Sequence, residues 1–80
     1  RSGRELDLTP KEFDVLALLL RHQGMVMTRE QILRDCWGFD FVGDSRAVDI
    51  LISRLREKVE DDPKNPRLIL TKRGTGYYCE

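Results

Sequence analysis

Eighty residues make one small domain, with a modest core near the lower limit of independent folding. Hydrophobic residues are 40% of the chain and charged ones 35%, a globular rather than a disordered composition. Fourteen basic residues balance fourteen acidic ones, and the longest apolar run, residues 15–20, falls far short of the roughly 20 that a membrane helix needs.

Residues 1–8 read as the end of a strand, because Leu6 and Leu8 alternate with charged neighbours. The first helix then has a clear start. Thr9-Pro10-Lys11-Glu12 is a capping box with proline in the first turn. Phe13, Leu16, Ala17 and Leu20 follow at helical spacing, with Leu19 beside them. His22 suits the helix end, where positive charge is favoured, and Gly24 is the natural stop.

Met25-Val26-Met27 reads as a short extended piece between elements. A second box, Thr28-Arg29-Glu30-Gln31, opens the second helix. Its apolar stripe is Ile32, Leu33, Cys36 and Trp37, and Gly38 ends it. Residues 39–43 form a loop with two aromatics.

Asp44 or Ser45 caps the third helix, predicted over about residues 45–59. At about 100° per residue, Val48, Leu51, Ile52, Leu55 and Val59 form one core stripe. Arg46, Ile50, Ser53, Arg54 and Glu57 fall on the opposite face, and Arg56 points sideways. Residues 61–66 are a turn, since Pro63 and Pro66 block helix continuation. A hairpin over about residues 68–79 closes the chain: Leu68 to Thr71, a Gly74-Thr75-Gly76 turn, and Tyr77 to Cys79 returning. Gly74 and Gly76 both suit a turn with positive φ.

Charge is unevenly placed along this order. Residues 46–58 and 67–80 each carry net +2, whereas residues 28–45 and 59–66 each carry net −2. Any anionic partner belongs with the third helix and the hairpin. A polar helix face of this kind fits the DNA major groove, and a basic hairpin tip reaches phosphates or the minor groove beside it. A solvated face and an ordinary hairpin share the pattern, so spacing and charge leave both readings open. The Gly-Thr-Gly turn lacks the lysine and the strand–helix context of a phosphate-binding P-loop. Two cysteines fit a reducing compartment better than a disulfide scaffold. One histidine leaves too few ligands for a zinc site. No Ser-His-Asp, Cys-His or paired-carboxylate arrangement assembles around it, so neither an enzyme nor a cofactor is expected.

The motifs taken together resemble the winged-helix DNA-binding domain of OmpR/PhoB-type bacterial response regulators. They are Leu8-Thr9-Pro10-Lys11-Glu12-Phe13, Thr28-Arg29-Glu30-Gln31-Ile32-Leu33, Cys36-Trp37-Gly38, Asp44-Ser45-Arg46-Ala47-Val48-Asp49, Ile52-Ser53-Arg54-Leu55-Arg56 and Thr71-Lys72-Arg73-Gly74-Thr75-Gly76-Tyr77, in that order over roughly residues 6–79. The resemblance implies an α+β winged helix-turn-helix: three helices, a C-terminal hairpin wing, and an N-terminal sheet of which only the last strand is present.

It also implies residue roles. Arg46, Ile50, Ser53 and Arg54 read bases and phosphates, with Ile50 against a thymine methyl and Arg54 on a base edge or nearby phosphate. Arg56 holds phosphate. Arg73 enters the minor groove, and Thr71 and Tyr77 contact phosphates or pack in the strands. Trp37 belongs to the core while its indole N–H reaches a phosphate. Asp49 makes a structural bond, Cys36 is a small core residue, and Glu57 departs from the basic residue common at its place. Phe39, Asp40 and Phe41 lie in the loop that meets RNA polymerase in relatives. The family further implies a phosphorylated receiver domain upstream, a sensor histidine kinase, two copies on a direct repeat, and a cytoplasmic location. A winged helix used mainly for docking RNA polymerase or a receiver domain is the competing reading. Zero net charge predicts weak non-specific affinity, and Arg46, Arg54, Arg56 and Arg73 with a few neutral donors are expected to neutralise about 3–5 phosphates per domain.

Overall fold

A computed structural model describes residues 7–38 and 43–80. Leu6, Phe39, Asp40 and Phe41 therefore lie outside the described residues. Residues 7–9 belong to no helix or strand, and residues 1–6 of the expected N-terminal strand lie outside the described residues. Leu8 instead packs, half-buried, against the core.

Helix α1 spans Pro10–Arg21 and starts at the expected box: Glu12 N–H donates to Thr9 Oγ1 (3.2 Å), and Thr9 N–H to Glu12 Oε1 (2.9 Å). Its inward face is Glu12, Val15, Leu18 and Leu19. This corrects the sequence-derived stripe, since Phe13 is 61% and Leu20 48% exposed. The apolar run of residues 15–20 covers the helix all round, so periodicity does not select a side. Glu12 does. It is fixed by the cap and by Lys58 Nζ (2.7 Å), which turns its side of the helix inward.

His22 caps α1, and Gly24 turns the chain with φ of 82°. Strand β1 (Met27–Thr28) follows, in part of the segment read as an extended linker. Helix α2 (Arg29–Ile32) starts at the second box, with Gln31 N–H on Thr28 Oγ1 (3.1 Å) and Thr28 N–H on Gln31 Oε1 (2.9 Å). It continues as one π-helical turn, Leu33–Trp37, and stops at Gly38 with φ of 100°. Ile32 is buried, while Leu33, Cys36 and Trp37 pack half-buried against the core.

Helix α3 spans Arg46–Val59. Asp44 caps it: its Oδ1 accepts from Arg46 N–H (2.9 Å), whereas the Ser45 side chain makes no capping bond. Val48, Leu51, Ile52, Leu55 and Val59 are all buried, as the helical periodicity predicted. They meet Val15, Leu18 and Leu19 from α1 and Ile69, Tyr77 and Cys79 from the hairpin in one cluster. Glu60, 4% exposed, ends α3 and anchors the next segment. Its carboxylate accepts from the backbone N–H groups of Arg67 (2.8 Å), Leu68 (3.0 Å) and Ile69 (2.8 Å).

Strands β2 (Leu70–Lys72) and β3 (Gly76–Tyr78) form the hairpin, and β1 adds to it in the antiparallel order β1-β3-β2. The turn residue with positive φ is Gly74, at 77°. Gly76 is not in the turn. It lies in β3 against Thr28, and a Cβ there would stand 1.9 Å from the Met27 carbonyl oxygen. Close approach of two backbones, not a left-handed conformation, accounts for this glycine.

Candidate nucleic-acid interface

The face of α3 turned from the core exposes Arg46, Ile50, Ser53, Arg54 and Glu57. Ile50 is 54% exposed, a β-branched side chain standing among polar ones. Arg46 is held by its neighbour, with Nε 2.9 Å from Asp44 Oδ2. Arg54 has no hydrogen-bond or ion-pair partner among the described residues. An aliphatic surface beside an uncommitted guanidinium suits a partner that offers both methyl groups and paired acceptors.

The hairpin tip supplies the second group. Thr75 N–H closes the turn on Lys72 carbonyl oxygen (2.9 Å), and Lys72 and Arg73 are exposed there. A groove of about 520 Å³ runs between Gly74 and Thr75 of this turn, Gly43 and Ser45 before α3, and Thr28 to Leu33 of α2. The turn thus sits beside the start of α3, and the two basic segments of the sequence belong to one side of the molecule.

Besides Arg46, four predicted contact residues have partners within the fold. Arg56 lies on the flank of α3. Its Nε and one terminal nitrogen donate to Ile69 carbonyl oxygen (3.1 and 2.8 Å), and that same terminal nitrogen donates to Thr71 Oγ1 (2.7 Å). Thr71 is exposed, but its hydroxyl oxygen already accepts from Arg56. Tyr77 is 5% exposed, and its hydroxyl donates to Asp49 Oδ1. Of the two expectations for Tyr77, phosphate contact or strand packing, its burial in β3 within the core cluster favours packing. Trp37 is half-buried, with Lys11 Nζ 5.1 Å from its ring centroid. Lys11 also donates to Cys36 carbonyl oxygen at the end of the π turn.

Asp49 is the structural residue expected, and its surroundings were not foreseen. Arg29 Nε donates to the same Oδ1 that Tyr77 uses, at 2.7 Å. Two guanidiniums approach the Tyr77 ring, with Arg29 5.7 Å and Arg56 5.5 Å from its centroid. Burial opposes the charged form of Asp49, but the Tyr77 hydroxyl and the Arg29 guanidinium outweigh it and hold the carboxyl below its ordinary range. Burial and the Asp49 hydrogen bond push the Tyr77 phenol up. Arg29 left no clear signal in the sequence, since α2 is a single four-residue turn whose two ends are not separated.

A helical layer carrying one basic helix face, closed by a basic β-hairpin, is a winged helix-turn-helix. The family described as transcriptional regulatory protein, C terminal, matches residues 3–79, and the chain belongs to it. Among solved structures, the DNA-binding domain of Bacillus subtilis CssR is 39% identical with a TM-score of 0.87, covering 100% of this chain and 85% of that one. The Thermotoga maritima response regulator DrrB, an OmpR/PhoB homologue, is 40% identical at a TM-score of 0.89, over 96% of this chain and 35% of that regulator. The Klebsiella pneumoniae RstA DNA-binding domain, solved in complex with the RstA box, is 38% identical at 0.85, over 96% and 76%. The OmpR/PhoB type is therefore the branch in which this domain stands.

Proposed function

We propose that the chain binds double-stranded DNA sequence-specifically to control transcription, with α3 in the major groove and the β2–β3 wing directed at the minor groove. Arg54, exposed on the outer face of α3 and without a partner among the described residues, carries this reading. It donates to a guanine edge or an adjacent phosphate. Ile50 meets a thymine methyl, and Arg46 and Ser53 position the helix on phosphates. Arg73 enters a narrow minor groove. Trp37 offers its indole to a phosphate from the end of the π turn. Thr71 and Arg56 act mainly on each other, with the unused N–H groups of Arg56 left for phosphate.

The full regulator, on this reading, carries a receiver domain answering to a sensor kinase. It acts in the cytoplasm as two copies on a direct repeat and touches RNA polymerase through residues 39–41. Among the described residues no helix is long and apolar enough to cross a membrane.

Selection from a randomised duplex pool, read by sequencing and fluorescence anisotropy, tests the reading. Enrichment of one short motif is expected, with affinity for it lowered about 30-fold in Arg54→Ala, within the 1–3 kcal/mol of a good base contact. A folded chain that enriches nothing at low salt would sink it.

A further inference from the structure

Two residues on one flank of α3 grip the wing. Asp49 and Arg56 stand seven positions, about 10 Å, apart. Asp49 Oδ1 accepts from the Tyr77 hydroxyl on β3. Arg56 donates to Thr71 and to Ile69 carbonyl oxygen at β2. Thr71 and Tyr77 are themselves register partners across the hairpin. The connection is a closed ring: Asp49, Tyr77, Thr71, Arg56 and back along two turns of helix. It fixes the wing against the recognition helix at two points, so one end cannot slide without breaking the other.

The same Asp49 oxygen takes Arg29 from α2. Arg29 lines the groove between wing turn and α3, where an unpaired guanidinium would be drawn to any phosphate regardless of base. Its side chain is 33% exposed and its pair lies close, so the cation is present at the interface yet committed. We propose that Asp49 is a positioning residue for DNA specificity: it withholds Arg29 from sequence-blind phosphate binding and registers the wing on the recognition helix. The proposal rests on the DNA-binding reading above. It touches no base itself. Like-charge repulsion from Asp49 lowers all DNA binding a little, and the gain is in discrimination.

The test measures affinity of the 80-residue chain for its selected duplex and for random duplex, between about 50 and 200 mM salt. In Asp49→Asn the random-duplex affinity is expected to rise about threefold. Its salt slope should steepen by about one unit, one phosphate more. The ratio of selected to random affinity should fall about tenfold. Loss of folding lowers both affinities together, so this opposed pair of changes cannot come from destabilisation. Tyr77→Phe keeps the ring but removes the hydroxyl. Its ratio should fall at least threefold with the salt slope unchanged, and it decides the matter if Asp49→Asn does not fold. Equal losses on both duplexes, or unchanged ratios in both variants, would overturn the role of Asp49 while leaving DNA binding intact. A folded wild-type chain that binds neither duplex would overturn the DNA reading and this inference with it.

Discussion

At the C-terminal end of α3, charge is consumed within the fold. Lys58 donates to Glu12 and to Asp7 carbonyl oxygen, and Glu60 gathers three backbone N–H groups. On the outward face of the same helix, Arg54 is left exposed, as is Arg73 on the wing tip. One region uses ionised groups as fixed internal fasteners. The other presents them to solvent. Asp49 belongs to both, a fastener set at the border of the exposed set. The lesson is that a domain of zero net charge can still offer a cationic face, provided its carboxylates are spent elsewhere. Counting charges hides this, and following each to its partner reveals it.

The largest expected effect erases the comparison by damaging both regions. Gly76→Ala drives a methyl into the Met27 carbonyl. Since the neighbour is backbone, it cannot yield as a side chain does. Loss of at least about 3 kcal/mol, the upper range for overpacking, should appear in urea unfolding. Retention of wild-type stability would mean that β1 does not pair there.

A second change breaks only the fastened region. Glu60→Ala removes the acceptor of the buried Ile69 N–H and of the part-buried Arg67 and Leu68 N–H groups, and should cost about 2–3 kcal/mol of stability. The discrimination between duplexes, measured on the folded fraction, should not change. Arg54→Ala is the mirror image, with stability within about 0.5 kcal/mol of wild type and the binding loss already described.

The smallest effect is that of pH. Burial of Glu12 opposes its ionisation, but the Lys58 ammonium and the Thr9 N–H outweigh this and hold its carboxyl below the ordinary range. A lowered folded-state pKa stabilises the fold above the unfolded value, and this contribution fades as pH falls through the folded one. Unfolding midpoints should therefore be flat above roughly pH 5 and decline below it. Glu12→Gln should flatten part of that decline. An identical acid slope in both proteins would remove Glu12 from the account.

Much of this was legible in the sequence because it is local. Both capping boxes, the stops at Gly24 and Gly38 and the buried stripe of α3 depend on neighbours within four positions. α3 alternates polar and apolar residues, so only one face fits the core. α1 does not, and its inward face is Val15 and Leu18 rather than Phe13 and Leu20, alongside a Glu12 whose partner Lys58 lies 46 positions away. The π turn left no mark in the periodicity, since five apolar and polar positions fit either winding. The exposed face of α3 was readable for the same reason as its core. The partners of Asp49, Arg56 and Tyr77 were not, for they depend on how the hairpin crosses the helix.

The added strand has a mechanical consequence. A two-stranded hairpin alone is marginal in water. Here β1 pairs with β3 at Tyr77 and Gly76, as far as the last strand residue before the turn, so only residues 73–75, Arg73 among them, project beyond the three-stranded sheet. A hairpin braced that far along bends only over the three residues of its turn. On the DNA-binding reading proposed above, minor grooves of different width would be met by deflection of those residues alone.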